Sequence, residues 1–322
     1  MGFFFHAAYT RAIWVCIAVL LIPAPTFPAS ERFEAVKGGV QFSAGYGYRH
    51  DEFDWNIAGT IAGTDPNVLS ELTWSDLLIH QLEMGMRIEG KSGILLRSAV
   101  DYGWIVDGEN QDSDYLEDNR LSEYSRSDNQ SDSGNTLDFS VGLGYLISLG
   151  RSSITFAPLV GYSYHRQELT MSDGYQTLPN LGAFSGLNSS YDAAWRGPWV
   201  GLELKVDLKK TTRRLPPVML RLGLELHWAE YDAAADWNMR ADFMHPNSFE
   251  HEADGRGERV FVGIWYKMSR RTALGLIYEQ QRWHADDGVD RLFLSDGRVL
   301  DTRLNEVNWY SRVMCFELSI RF

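Results

Sequence analysis

Two aspartates stand one residue apart in the stretch GENQDSDYLEDNR, residues 108–120, as Asp112 and Asp114 in front of Tyr115. Neighbouring carboxylates of this kind can share a proton and orient a water between them, the arrangement of an acid pair that activates water for hydrolysis. The same spacing also arises in any strongly acidic loop, where it binds a divalent cation or does nothing beyond keeping the surface solvated. Nine acids lie between residues 107 and 135, against Arg120 and Arg126. Hydrolysis would need a second half to the site, a base facing the pair, and the elements that carry these residues decide where such a base can stand.

Those elements read as strands. Val218, Leu220, Leu222, Leu224, Leu226 and Trp228 fall on one side of a period-two pattern, with Arg221, Glu225 and His227 on the other. The split recurs along residues 200–208 and 260–268. Alternation alone fits a soluble sandwich as well as a membrane barrel. Connector lengths separate the two. About ten strands are expected, near 38–49, 70–89, 93–106, 136–149, 152–168, 194–208, 217–231, 257–269, 272–284 and 305–322. Short links alternate with long ones at 50–69, 107–135, 169–193, 232–256 and 285–304, the pattern of an antiparallel transmembrane β-barrel with short periplasmic turns and long extracellular loops. The chain ends in MCFELSIRF, whose alternate apolar residues and final Phe322 suit the closing strand of an outer-membrane barrel.

Aromatics near the strand ends, including Tyr46, Tyr48, Trp74, Trp104, Tyr162, Tyr164, Trp228, Tyr266 and Trp283, are expected to form the interfacial girdles. Inward charges of both signs, among them Arg87, Arg97, Glu203, Glu225 and Arg321, are expected to pair across a narrow lumen and plug it, which disfavours a general porin.

Composition agrees with this class. The net charge of -13 over 322 residues argues against nucleic acid as a partner. Residues 1–30 carry Arg11, the apolar run AIWVCIAVLLI and a Pro/Ala/Ser segment, and read as a signal peptide ahead of a single barrel domain at 31–322. Cys16 leaves with that segment, so the mature chain keeps Cys315 alone and forms no internal disulfide. No later stretch is long and apolar enough for a membrane-spanning helix. No internal repeat, Gly-rich phosphate loop, zinc-protease helix, paired-cysteine motif or Ser-His-Asp order occurs.

Ten strands, tall acidic loops and Asp-x-Asp followed by an aromatic in the second long loop resemble the omptins, the outer-membrane proteases of Gram-negative bacteria. SELTW at 70–74, GENQDSDY at 108–115 and YSRS at 124–127 are similar to the omptin stretches at these places. The resemblance implies that Asp112 and Asp114 hold the attacking water, that no metal or other cofactor takes part, and that lipopolysaccharide is a partner in the outer membrane. It also implies an opposing Asp-x-His dyad in the fourth long loop, with imidazole as the base. Here that stretch, WAEYDAAADWNMRADF at 228–243, gives Asp236 and then Asn238 where the histidine should be. An amide cannot act as a base at neutral pH. His227 falls on the inward face as a hydrogen-bonded interior residue, and His245 and His251 lie further along the loop.

Two expectations follow. In the first, the protein is a monomeric omptin-like outer-membrane barrel without protease activity, whose acidic rim binds a ligand, a surface partner, cationic peptides or divalent ions. In the second, it is an active endopeptidase cleaving near basic residues, with His245 as a relocated base beside Asp112, Asp114 and Asp236.

Overall fold

A strand that alternates apolar and charged residues can border lipid only if its backbone is hydrogen-bonded along both edges. The computed structural model describes residues 38–149, 153–208 and 216–322, so the expected signal peptide lies outside the described residues. The strands are β1 (Gly39–Ile57), β2 (Ser70–Glu89), β3 (Ile94–Glu117), β4 (Leu121–Gln130), β5 (Gly134–Tyr145), β6 (Ile147–Ser148), β7 (Ile154–Leu178), β8 (Gly182–Ala183), β9 (Asn188–Asp207), β10 (Val218–Asp236), β11 (Phe249–Lys267), β12 (Thr272–Phe293) and β13 (Val299–Arg321). β4 and β5 are two halves of one wall strand, each pairing with both β3 and β7. β6 and β8 are two-residue bridges onto β7. The wall therefore has ten antiparallel strands, and it closes where β1 pairs with both β2 and β13.

The apolar side faces out. Leu224 is 47% exposed and its neighbour Glu225 2%. Tyr46, Tyr48, Trp104, Tyr162, Trp228 and Tyr266 are all exposed on the outer wall, as girdle residues must be. At the far end the strands run longer than the sequence pattern marks them. β3 climbs to Glu117 and returns as β4 from Leu121, so most of the second long loop is a two-stranded ribbon with Asp112 and Asp114 inside it.

Two of the expected girdle aromatics are inside. Trp74 and Trp283 are fully or almost fully buried in the lumen. For Trp283 the parity of its own strand suffices, since it continues the inward row of Glu279 and Gln281. For Trp74 the cause is a bulge. The β2–β3 register slips between Ser75 and Ile79, with Asp76 in the left-handed region at φ 52°, and an extra residue exchanges the two faces of a strand. Below the slip the even-numbered Tyr102 and Trp104 face lipid; above it the even-numbered Leu72 and Trp74 on β2 pair with Asp112 and Asn110 on β3, all facing in. Without that bulge the acid pair would point away from the barrel.

The lumen is filled at two levels. In the half nearer the rim, Phe53, Trp55, Trp74, Tyr191, Trp195 and Tyr231 pack with Trp283 and Trp309 into one apolar cluster. Trp283 and Trp309 stack with centroids 5.6 Å apart. In the other half, charges pair across the barrel as expected. Arg87 on β2 meets Glu203 on β9 at 2.9 Å, Arg97 on β3 meets Glu225 on β10, and Arg259 on β11 reaches Glu225 at 3.0 Å. Between the two levels the fully buried Arg49 bonds Asp51 and Asp138, each at 2.6 Å, with Trp309 beneath its guanidinium. A buried ion of this kind is tolerable only with its hydrogen bonds complete.

Candidate functional site

Asp112 and Asp114 sit on the inner face of the β3–β4 ribbon, in register with Leu72 and Ser127 and with Ser70 and Ser125 respectively. Just below them the Asn129 amide donates to Asn110 Oδ1 at 2.9 Å, bracing the ribbon. Burial, and then the charge of Asp114, push the Asp112 carboxyl up to about 8. Asp114 is raised as well, again chiefly by burial, while a hydrogen bond from Ser70 holds it back. Burial and the neighbouring charge both disfavour ionising the two carboxyls together.

A positive charge that acts on the pair comes from Arg240. It stands in the β10–β11 connection, its charge lowers both carboxyls, and it also acts on the Tyr124 phenol that borders them. Its own geometry is fixed locally: Nε and Nη2 donate to the two oxygens of Asp242 at 3.0 and 2.9 Å, and the guanidinium lies 4.0 Å over the Phe243 ring.

The remaining sequence-derived residues fall elsewhere. Ala235 faces the lumen, pairing with Tyr191 and Phe249, so Asp236 at the end of β10 has the outward parity of Asp232 and Ala234. His245 binds it there, with Nδ1 2.6 Å from Asp236 Oδ1, while Nε2 lies 3.2 Å from the Arg240 carbonyl. A carboxylate and a carbonyl are both acceptors, so the ring satisfies the two together only by donating from both nitrogens. The Asp236 hydrogen bond accordingly raises the His245 pKa, favouring imidazolium. Asn238 accepts from the Asn188 backbone N–H at 2.9 Å and from Ser189 Oγ at 3.1 Å, and donates to the Gly186 carbonyl at 2.7 Å. It fastens one loop to another.

His251 is fully buried against Tyr191 and Asp290, and His227 is an interior residue bonded to Ser163 Oγ at 3.0 Å. Among the described residues no group of three or more His, Cys, Asp or Glu converges as a metal site. Sequence reasoning passed over Arg240 and Tyr124. The signal for Arg240 was present, since it is the one cation in WAEYDAAADWNMRADF and an acid pair seeks a counter-charge.

The family model described as Pom, Protochlamydia outer membrane protein, matches residues 43–322. No curated protein matches the sequence. Among solved structures, the outer membrane protease OmpT from Escherichia coli is similar in fold, with a TM-score of 0.72 over 90% of this chain and 99% of its own, at 13% identity. The translocator domain of autotransporter NalP from Neisseria meningitidis gives a TM-score of 0.36 over 98% and 96% of the two chains at 11% identity. The outer membrane protein OprG from Pseudomonas aeruginosa gives 0.32 over 90% and 99% at 10% identity. At 13% identity the likeness to OmpT is one of fold alone.

Proposed function

The chain belongs to the Pom family of Protochlamydia outer membrane proteins, and on that footing we propose that its rim recognises a cationic partner and carries out no proteolysis. The barrel is omptin-like and resides in the outer membrane of a Gram-negative bacterium. One observation carries the reading: the charge that acts on Asp112 and Asp114 from the β10–β11 connection is that of a guanidinium, whereas hydrolysis requires a neutral base. An arginine keeps its proton at any working pH and so cannot take one from water. His245, engaged at both ring nitrogens on the outer side of β10, supports the same conclusion. The pair nevertheless remains a strong acceptor for a positive group, edged by Tyr124, and an incoming cation would compete with Arg240 for it.

The test uses full-length protein refolded in detergent with lipopolysaccharide and a fluorogenic dibasic peptide. No turnover is expected. Turnover that disappears in Asp112→Ala would overturn the proposal. An uncleavable basic peptide should bind with an affinity that falls as salt rises, and about tenfold more weakly to the Asp112→Asn/Asp114→Asn double variant. Equal affinity for the two proteins would also reject it.

A further inference from the structure

The charged half of the lumen encloses a cavity of about 140 Å³. Seven carboxylates line it against four guanidinium groups. Arg87, Arg97 and Arg259 are taken up by Glu203, Glu225 and Glu279, Arg221 lies over the Trp265 ring with Nη2 3.4 Å from Gln41 Oε1, and Asp138 has Arg49 and His165. Among the described residues three acids and the Arg221 guanidinium are left without an ion pair, which still leaves the acids in excess. Glu317 accepts from the Trp265 indole at 2.6 Å, Glu83 from the Gln81 amide at 2.9 Å, and neither has an ion pair. Asp101 faces Glu83 directly across the β2–β3 ladder. Like charges opposed in this way repel, and in a buried site the repulsion is poorly screened.

A second feature points the same way. His165 lines this cavity, is 4% exposed, and directs Nδ1 to Asp138 Oδ1 at 2.9 Å. A neutral ring that donates there from Nδ1 presents Nε2 as an acceptor, and among the described residues Nε2 is buried with no hydrogen-bond partner. Toward the rim the stacked Trp283 and Trp309 close the space, with the His165 ring 4.7 Å from Trp283. Toward the short-turn end the boundary is polar: Glu89 is shared by Arg87, Lys205 and Arg321, and the last two keep part of their side chains in solvent.

We infer that this chamber is a binding site, reached from the periplasmic side, for a small organic ammonium ion held between the Glu83/Asp101 carboxylates and the His165 Nε2 acceptor. The excess of acids selects a cation. The acceptors do not converge to metal-ligand spacing among the described residues, whereas an ammonium group, with three N–H donors of its own, suits acceptors spread around a cavity. A volume near 140 Å³ admits about six non-hydrogen atoms.

The probe is 1,4-diaminobutane, titrated calorimetrically into refolded full-length protein, with 1,4-butanediol as the uncharged counterpart and magnesium or zinc as competitors. The diamine should bind with a dissociation constant on the order of 1 mM or lower, and the diol should not. Glu83→Gln/Asp101→Asn removes two acids that hold no ion pair, so it should fold normally and bind the diamine at least about tenfold more weakly. In the Asp112→Asn/Asp114→Asn background, which removes the rim acids, the diamine should still bind, and adding Glu83→Gln/Asp101→Asn to that background should weaken it at least about tenfold, which separates this site from the rim. The inference is overturned if the diamine gives no binding heat, if the diol binds equally, if the lumen variant binds as the wild type does, if the rim variant loses binding, or if either metal displaces the diamine.

Discussion

The same ten strands build the lumen and the rim, yet they hold the two in different ways. Trp195 in the lumen touches Tyr231 at 4.5 Å and Trp283 at 5.7 Å between ring centroids, inside a cluster drawn from nearly every strand of the wall. Asn238 at the rim is exposed and fastens its loop through three hydrogen bonds to one neighbouring segment. Burial of large aromatics is cooperative and insensitive to pH or salt, whereas exposed polar bonds contribute little individually because water offers the same partners. The lumen is thus a structural core turned inward, and the rim is the part of the molecule whose geometry solution conditions can change.

The contrast is broken most directly at Trp195. Trp195→Ala should cost about 3 to 5 kcal/mol, the range for emptying a large aromatic site in a packed interior. Denaturant unfolding of the refolded protein in detergent, followed by tryptophan fluorescence, reads this out. A loss below about 1 kcal/mol would mean that the lumen collapses freely and is no core at all.

Asn238→Ala should cost about 1 kcal/mol, because its partners Asn188, Ser189 and Gly186 lie within reach of water. The visible effect is local: faster amide exchange and proteolysis around residues 184–190, with the unfolding midpoint of the barrel nearly unchanged. An effect as large as that of Trp195→Ala would erase the distinction between the two regions. Restoring the imaginable dyad by Asn238→His gains no base for the acid pair, because Asp236 beside it faces outward.

Much of this was open to reading from the chain, and the limits have physical causes. Leu224 beside Glu225, repeated through strand after strand with short and long links alternating, is enough for a lipid-facing barrel of ten strands, since a soluble sandwich shares the alternation of faces and lacks the regular alternation of links. The cross-lumen pairing of Arg87 with Glu203 follows from the same parity. Trp74 does not, because the bulge near Asp76 exchanges faces and no period-two count detects one inserted residue. The height of the β3–β4 ribbon was hidden for a related reason: polar residues such as Asn110, Ser127 and Asn129 form good ladder hydrogen bonds while lacking the apolar alternation that marks a membrane strand. Arg240 was legible only as a charge, since its approach to Asp112 depends on where two connections remote in sequence meet.

The effect most specific to the rim is the titration of Asp112. Its carboxyl is pushed up to about 8 in the folded protein, chiefly by burial and next by Asp114. In the unfolded chain it releases its proton near pH 4. A folded pKa above the unfolded one adds stability that is complete below about pH 4, declines as the pH rises, and is gone above about pH 8. Asp112→Asn removes that slope, so the stability of the variant relative to wild type should rise between about pH 4 and pH 8 and level off beyond, as measured by unfolding midpoints across the range. Binding should run in the opposite sense to wild-type stability. Once Asp112 releases its proton the rim gains a negative charge, and a basic peptide should bind more tightly above about pH 8 than at pH 6, with the change abolished in Asp112→Asn. A peptide affinity that ignores this interval would place the cation elsewhere on the rim, and would leave Asp112 and Asp114 as a neutralised pair serving only the fold.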